Sequence, residues 1–474
     1  METNEAQPEA KLNRKQRRDL NRRIWTDNPG LDVVHPDAAG IDIGNREHYV
    51  AIAPDKSETP VRKFGCFTNE LRELVQFLKA HDIGSVAMQS TGVYWIPLYD
   101  LLEEEGFEVY LVNARDTKNL PGRKSDVQES QWLLKLHTYG LLRNSFHPTS
   151  EIRVLRAYWR QRGEHIQTAG ECVQRMQKAL TQMNLQLANV ISDIMGVTGQ
   201  KILRAVLAGE RNAEVLAEMR HERIRASREE IIASLTGNWR PELLFVLKQE
   251  MDRYDFCQRQ IAECDQKIEQ HLGALPARVK EAGSPLRPSP QKKKRAGGNS
   301  PTFALDEELV RITGVDFTRI DGINVMTAQT ILSEVGLDMS KWKTEAHFAS
   351  WLGLCPNNSV TGGKVMRRGT RKIVNRAATA FRVAASTLRR SDSYLGAQFR
   401  RFRTRLGAPK AITAMAHKLA VLFYRMLRYG QEYVDRGQQY YEDKYRQQQI
   451  AFLNKQAARL GFLVSPATNQ AVSM

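Results

Sequence analysis

The chain has few cysteines, and none of them forms a recognisable pair. Its 474 residues include five, at Cys66, Cys172, Cys257, Cys264 and Cys355. An odd number of scattered cysteines outside any CxxC motif argues against a disulfide framework and against a structural zinc site. This usage is typical of a reducing compartment, so we expect a cytoplasmic protein.

Long apolar segments are also missing. No hydrophobic run approaches the roughly 18 residues needed to cross a membrane, and the N-terminus opens with polar residues instead of a signal peptide. We therefore exclude transmembrane and secreted classes and expect no membrane partner. The hydrophobic share of 42% is still enough for packed cores, so wholesale disorder is excluded as well.

Acidic residues are nearly absent from residues 362–430. This stretch holds 17 lysines and arginines against one acid, Asp392, and carries most of the chain's net charge of +17. Aromatic residues alternate with the cations over Phe399–Arg403. A solvated helix face is the ordinary explanation of a charge run, but this imbalance favours nucleic acid as a partner. A second basic run, Lys11–Arg23, indicates either a phosphate-binding arm or a solubilising tail.

Strand and helix patterns alternate over residues 38–138. Predicted strands cover residues 39–44, 48–53, 62–67, 85–89 and 108–113, and predicted helices cover residues 70–80, 95–104 and a segment from about 126. Three leading strands followed by alternating helices and strands is the element order of an α/β RNase H-like fold, with a mixed sheet and helices on both faces.

The remainder is predicted to be mostly helical. Residues 150–275 repeat apolar residues at three- and four-residue steps, which predicts either an antiparallel coiled-coil arm for dimerisation or a plain helical core. Residues 277–303 are typical of an exposed linker. Ile320–Leu332 predicts a helix-hairpin-helix-like element that turns at Gly322–Asn324 and whose amides can hold a phosphate, although a structural turn fits equally well. Gly362 and Gly363 predict a loop.

Three acids, one on the first strand and two on the last helix, are predicted to gather a metal ion. Asp42 lies mid-strand between apolar neighbours, where a carboxylate is costly unless a metal or hydrogen bonds receive it. Asp126 and Glu129 are three apart at a helix start and share one face. Each has an ordinary structural explanation alone, but together they suit Mg²⁺ (or Mn²⁺) catalysis at a phosphodiester. At the end of the fourth strand, where another acid would complete the set, the chain has Gln89.

Several motifs of the chain resemble those of the DEDD transposases of bacterial insertion sequences, a broad family that includes the pilin-gene invertase. They run in order over both halves of the chain, at Gly40–Gly44, Met88–Trp95, Val112–Arg115, Pro121–Gln128, Gly353–Pro356 and Thr361–Lys364.

The resemblance implies an RNA-guided DNA recombinase with a RuvC/RNase H-like domain, a helical arm and a C-terminal serine transposase domain. A noncoding bridge or seek RNA would pair with donor and target DNA at the bacterial nucleoid. Composite active sites would form between subunits of a homo-oligomer, a dimer or a tetramer. The expected divisions are a basic arm (1–37), a RuvC-like domain (38–145), a helical region (146–275), a linker (276–305), a transposase domain (306–440) and a C-terminal helix and tail (441–474).

The family's catalytic acids fall on Asp42, Gln89, Asp126 and Glu129, and its serine nucleophile falls on Thr361. Gln89 removes a charge and is expected to weaken metal binding, whereas Glu129 is a longer carboxylate that still reaches a metal. Thr361 keeps a hydroxyl but crowds it with a methyl group, so Ser359 competes as the nucleophile. The cations expected to bind nucleic acid are Lys364, Arg367, Arg368, Arg371, Lys372, Arg400, Arg401, Arg403 and Arg405.

Two other functions stay open at this point. A RuvC-like hydrolytic nuclease or junction resolvase would use the same acids with water as the nucleophile. A catalytically impaired, nucleic-acid-binding relative is indicated by Gln89 and Thr361 together.

Overall fold

A computed structural model of the chain describes residues 30–90, 92–113, 126–278, 299–367, 369–371, 373–430 and 433–465. The chain divides into two compact units, residues 1–147 and residues 148–474. The basic run Lys11–Arg23 and most of the predicted linker lie outside the described residues. No helix within the described ranges is long and apolar enough to cross a membrane.

The first unit contains a five-stranded mixed sheet. Its elements in chain order are β1 (Ala38–Ile43), β2 (Glu47–Ile52), β3 (Val61–Gly65), α1 (Thr68–Ala80), β4 (Ser85–Gln89), α2 (Ile96–Glu104), β5 (Glu108–Val112) and α3 (Asp126–Thr138). The strand order is β3-β2-β1-β4-β5, with β1, β2 and β3 antiparallel and β4 and β5 running parallel to β1. The predicted mixed α/β domain is thus confirmed, with strand ends within one or two residues of the sequence pattern.

Burial explains why these short runs form strands. Ile41, Val50, Val86 and Met88 are fully enclosed in one core together with Leu74 of α1. Strands covered on both faces lose the strict apolar–polar alternation and become continuous apolar runs. The parallel register pairs Ile41 of β1 with Met88 of β4, which aligns the ends of these two strands.

The second unit is helical apart from one small hairpin. Its described elements are α4 (Ser150–Gln182), α5 (Leu187–Val190), α6 (Val197–Leu207), α7 (Ala213–Ala217), α8 (Arg228–Leu235), α9 (Pro241–Ala274), α10 (Leu305–Thr313), α11 (Val325–Val335), α12 (Glu345–Trp351), β6 (Ser359–Thr361), β7 (Lys364–Arg367), α13 (Arg376–Thr387), α14 (Tyr394–Leu406), α15 (Ala408–Tyr429) and α16 (Gly437–Arg459).

The long helices α4 and α9 pack along each other in opposite directions. Arg162 of α4 forms an ion pair with Asp265 of α9, and both side chains are at most 2% exposed. Arg162 also donates a hydrogen bond to the Asn299 carbonyl over 3.0 Å. Because a buried charge left without its partner is costly, this pair fixes the alignment of the two helices. The predicted use of the arm in dimerisation stays a prediction.

The predicted helix-hairpin-helix-like element differs from expectation on its first side. The segment before the turn is one 3₁₀ turn, Phe317–Arg319, instead of a helix. Asn324 has φ −100° and caps α11 by accepting the Thr327 N–H over 2.8 Å. Gly322 does take a left-handed φ of 89°, but a Cβ there would lie 2.7 Å from the Ala384 carbonyl oxygen of α13. The turn therefore packs against the unit's own helix, which agrees with the structural alternative.

Candidate active site

The predicted acids of the first unit lie within electrostatic reach of one another. Asp42 is the fifth residue of β1, while Asp126 and Glu129 occupy the first turn of α3. Burial, followed by the negative charges of Glu129 and Asp126, raises the pKa of Asp42 to about 6. A hydrogen bond from the backbone of Ile43 only partly offsets these effects. The three carboxylates are therefore close enough to interact electrostatically.

Gln89 lies beside Asp42, where the parallel strands β1 and β4 end. It is the last residue of β4 and is 4% exposed. The register that pairs Ile41 with Met88 places Asp42 and Gln89 next in line on neighbouring strands. The fourth position of the expected acid set is thus occupied by a buried neutral amide.

Gly40 is what allows α3 to approach the sheet so closely. A Cβ on Gly40 would lie 2.8 Å from Leu134 Cα and closer still to the Ser130 carbonyl oxygen. Ser130 directly follows Glu129, so this contact sets how near the two acids of α3 come to β1. Sequence reasoning treated Gly40 only as part of a motif. A glycine inside an otherwise apolar strand was the available signal, because it often marks a close backbone approach.

The other end of α3 is fixed by His137. His137 Nε2 and Ser85 Oγ of β4 share a hydrogen bond of 2.6 Å, and His35 stacks on the imidazole with ring centroids 4.4 Å apart. Burial lowers the pKa of His137 to about 4, and His35 contributes in the same direction. The ring is therefore neutral at pH 7 and serves to hold the helix.

The donor set suits a hard divalent cation, although it is not gathered into a finished coordination group. Within the described ranges, no three or more His, Cys, Asp or Glu side chains are placed to hold a metal ion. Carboxylate and amide oxygens are nevertheless the ligands that Mg²⁺ and Mn²⁺ prefer. The raised pKa of Asp42 reports its burial first and then repulsion from Glu129 and Asp126, and a bound cation would offset this repulsion.

Burial of the charged carboxyl, together with this repulsion, predicts a stability gain from Asp42→Asn. Because the folded chain binds the Asp42 proton more tightly than the unfolded chain, the carboxyl destabilises the fold as pH rises from about 4 to about 6. In metal-free buffer at pH 7 the variant should be more stable by about 1–2 kcal/mol, after discounting for partial solvent exposure.

Urea denaturation at pH 4 and pH 7 measures this gain, which should vanish at pH 4. Asp55→Asn, at an exposed position of the same unit, is the control and should change little at either pH. An equal change in stability from Asp42→Asn at pH 4 and at pH 7 would contradict the electrostatic explanation.

The candidate nucleophiles lie on a β-hairpin of the second unit. The sequence predicted only a loop here, but β6 and β7 pair as antiparallel strands with Thr361 opposite Lys364. Gly362 and Gly363 have φ of 55° and 76°, the left-handed pair that a tight two-residue hairpin turn requires. Ser359 and Thr361 are both exposed, and a bulge between Ser359 and Val360 interrupts the regular register.

A cavity of about 700 Å³ opens at the base of this hairpin. Pro356 and Thr370, which form an isolated bridge below the hairpin strands, contribute one wall. Pro409, Lys410 and His417 of α15 contribute another. Burial, followed by the charge of Lys418, lowers the pKa of His417. Besides His417, the cavity presents the exposed Lys410 next to largely apolar walls.

The expected nucleic-acid-binding cations fall into two groups. Arg371 donates to the Ser350 carbonyl and to Ser350 Oγ over 3.1 Å. Arg400 donates to the Ser391 carbonyl over 2.6 Å and to Gln438 Oε1 over 2.7 Å. These two arginines therefore hold parts of the unit together.

The remaining cations are differently placed. Lys364 is exposed on β7, and Arg401, Arg403 and Arg405 lie on α14 without an acidic partner among the described residues. Arg367 ends β7. Arg368 and Lys372 lie outside the described residues.

Two family models match the chain, one in each half. A DEDD transposase model matches residues 39–185, which include the Asp42, Gln89, Asp126 and Glu129 cluster. A model of the IS116/IS110/IS902 transposase family matches residues 316–400, which include the β6–β7 hairpin. No curated protein matches the chain significantly. Both models match in the expected order, and together they support recognition of the chain as an IS110/IS116/IS902-type transposase of insertion sequences.

Proposed function

We propose that this transposase is an RNA-guided DNA recombinase that cleaves and exchanges strands at the ends of an insertion sequence. The observation that carries the proposal is the acid cluster at the carboxyl end of β1, where burial and then the charges of Glu129 and Asp126 raise the pKa of Asp42. The strand order β3-β2-β1-β4-β5 supports an RNase H-like, RuvC-like assignment for the first unit. The homo-oligomer, dimer or tetramer, is part of the same proposal.

Asp42, Asp126 and Glu129 are the residues that would hold Mg²⁺ or Mn²⁺. Such an ion supplies charge stabilisation at the phosphate and activates the attacking oxygen. The chain's own contribution is to hold the carboxylates together: Gly40 lets α3 approach β1 closely, and His137 anchors the far end of the helix. Gln89 can offer an amide oxygen but no charge, so cation affinity should be lower than for four acids.

A hydroxyl on the β6–β7 hairpin is the proposed nucleophile. Its oxygen forms a new bond to a DNA phosphorus while the bond to one sugar oxygen breaks. The hydroxyl gives up its proton and the departing sugar oxygen gains one. One phosphodiester replaces another, so a free hydroxyl of a second strand can reverse the step and complete exchange. Thr361 fits the family position and Ser359 is the less hindered hydroxyl.

The cations around the hairpin support binding of a phosphate backbone. Lys364 directly opposes Thr361 in the register, and Lys410 lines the cavity at the hairpin base. Exposed lysines and arginines neutralise phosphates without reading base sequence. We therefore assign the selection of the DNA sequence to base pairing with a noncoding RNA.

A catalytically impaired, nucleic-acid-binding relative is the second candidate. The buried Gln89 favours it, together with the lack of a finished metal-holding group among the described side chains.

A denaturing gel separates these functions. The full chain is incubated with labelled donor DNA, its co-purifying RNA and Mg²⁺, then denatured. Labelled DNA that stays with the protein supports a hydroxyl nucleophile, free cut ends support a hydrolytic nuclease, and unchanged DNA supports the binding-only relative.

The same gel identifies the hydroxyl. The covalent species should disappear in either Thr361→Ala or Ser359→Ala and persist in the other, with Thr361→Ser retaining or increasing it. Each variant serves as the matched control for the other because both positions are exposed on one short strand. A covalent species that survives the double variant would contradict the hairpin assignment.

A further inference from the structure

A small pocket between α14 and α16 is lined by aromatic side chains. Its volume is about 270 Å³, and Tyr394, Phe402, Tyr441 and Tyr445 contribute to its walls. Tyr394 and Tyr441 meet edge to face, with ring centroids 4.9 Å apart. The pocket is smaller than the roughly 300–1,000 Å³ of a typical drug-sized site, so it suits a single planar group. Most of the lining lies beyond residue 400, where the second family match ends.

The aromatic rings are combined with unneutralised positive charge. Arg401, Arg405 and Lys444 line the same pocket, and the lining contains no acid. The Arg401 guanidinium lies over the Tyr445 ring, and that of Arg405 lies 5.7 Å from the centre of the Phe402 ring. These rings thus accept planar groups on their faces, and a base that stacks on Tyr445 would take the place of the Arg401 guanidinium.

The nearest acids of α16 are already engaged on their own helix. Glu442 accepts a hydrogen bond from Gln438 over 2.6 Å, and Asp443 accepts one from Gln439 over 3.1 Å. Neither lines the pocket. Within the lining, no carboxylate competes with an anionic ligand for the three cations.

One polar atom in the pocket wall lacks a partner. Gln398 Oε1 of α14 is buried without a hydrogen bond, which is an unfavourable state for an acceptor unless a ligand donates to it. Partial burial raises the pKa of Tyr441, so its hydroxyl stays protonated and can donate. The wall thus offers both an acceptor and a donor beside the ring faces.

The second wall is loosely held. None of the described residues of α16 is buried, so the helix lies over α14 without closing the space between them. An inserted flat group can therefore gain contacts on both sides without opening a packed core.

We propose that this pocket binds one unpaired nucleotide of a bound nucleic acid, with the base stacked among the tyrosines and the flanking phosphates on Arg401, Arg405 and Lys444. A paired base cannot enter because its partner and stacked neighbours occupy the required space. This inference rests on the proposed function in one respect, because it takes nucleic acid as the partner of the chain. The unpaired nucleotide belongs either to the RNA or to an opened DNA strand, and both present the same base and phosphate chemistry.

Binding of short oligonucleotides to the full chain, stripped of co-purifying nucleic acid, tests the pocket. Fluorescence anisotropy compares single-stranded RNA, single-stranded DNA of the same sequence, and the DNA duplex. Tyr441→Ala with Tyr445→Ala should weaken binding of one or both single strands about tenfold, and leave duplex binding within about twofold. A loss of affinity confined to single-stranded RNA or to single-stranded DNA supports the pocket and identifies which of the two supplies the nucleotide.

The controls separate stacking from folding. Tyr441→Phe with Tyr445→Phe should restore single-strand binding because the rings are kept. Phe452→Ala, at an exposed aromatic position on the same helix outside the pocket, should have no effect. Gln398→Leu should weaken single-strand binding and spare the duplex. Equal weakening for duplex and single strands, or no weakening, would overturn the proposal.

Failure of this test is distinguishable from failure of the proposed function. A chain that binds single strands through the tyrosines but forms no covalent DNA species retains the pocket and loses the recombinase mechanism. A chain that forms the covalent DNA species but binds single strands without the tyrosines retains the recombinase mechanism and loses only the pocket.

Discussion

Asp42→Ala should reduce DNA strand exchange by at least about 1,000-fold, which corresponds to a loss of about 4 kcal/mol of transition-state stabilisation. Asp42 is the carboxylate on β1 that faces the negative charges of Asp126 and Glu129. Removing it leaves the two acids of α3 without their counterpart on the sheet. Product formation from donor and target DNA, quantified at saturating Mg²⁺, measures the loss.

Binding of the guide RNA is the internal control for Asp42→Ala. The acids carry no positive charge, so RNA affinity should stay within about twofold of the original chain. Asp55→Ala removes an exposed acid from the same unit and should leave strand exchange intact. Parallel loss of RNA binding and strand exchange in Asp42→Ala would show that Asp42 is structural.

Gly40→Ala should destabilise the first unit by about 3 kcal/mol or more, at the upper end of ordinary overpacking costs. The added methyl group would meet the backbone of α3 at Ser130 and Leu134. Backbone cannot move aside as a flexible side chain can, so the helix and its two acids must shift away from β1. Strand exchange should therefore fall even where the protein remains folded.

Gly84→Ala is the matched control for Gly40→Ala. Gly84 directly precedes β4, and a Cβ there would meet nothing within 4 Å. Urea denaturation of both variants should show a loss of stability for Gly40→Ala alone. Comparable stability of the two variants would contradict the close approach of α3 to the sheet.

Local pattern was sufficient to predict the first unit. Its strands are short apolar runs bounded by turn residues, and β1, β2 and β3 pair in the order of the sequence, although β1 also pairs with β4. The position of Asp42 on a strand and of Asp126 and Glu129 on a helix start therefore followed from periodicity alone. Their convergence depended on the strand order, which was inferred from the succession of elements.

The second unit was less predictable because its short strands and its side-chain contacts leave weak signals in the sequence. β6 and β7 are only three and four residues long, too short for a period-two signal, and the hairpin was taken for a loop. Arg371 and Arg400 look like surface cations in sequence, yet they donate to backbone carbonyls of Ser350 and Ser391. Sequence does not reveal which carbonyl groups a fold leaves without partners.

The pocket between α14 and α16 illustrates the same difficulty. Alternating arginine and phenylalanine in α14 indicated nucleic-acid binding in general. The tyrosines that complete the pocket come from α16, far along the chain, and only the packing of the two helices brings them to Arg401 and Phe402.

Sequencing the DNA junctions formed in a reconstituted reaction tests the central claim most directly. The full chain with its co-purifying RNA is mixed with donor and target DNA and Mg²⁺, and a parallel reaction contains RNA whose pairing segment has been changed. An RNA-guided recombinase predicts junctions that join donor to target at the paired positions and that move with the changed RNA. Junctions that ignore the RNA change, or cut ends without any junction, would contradict this account.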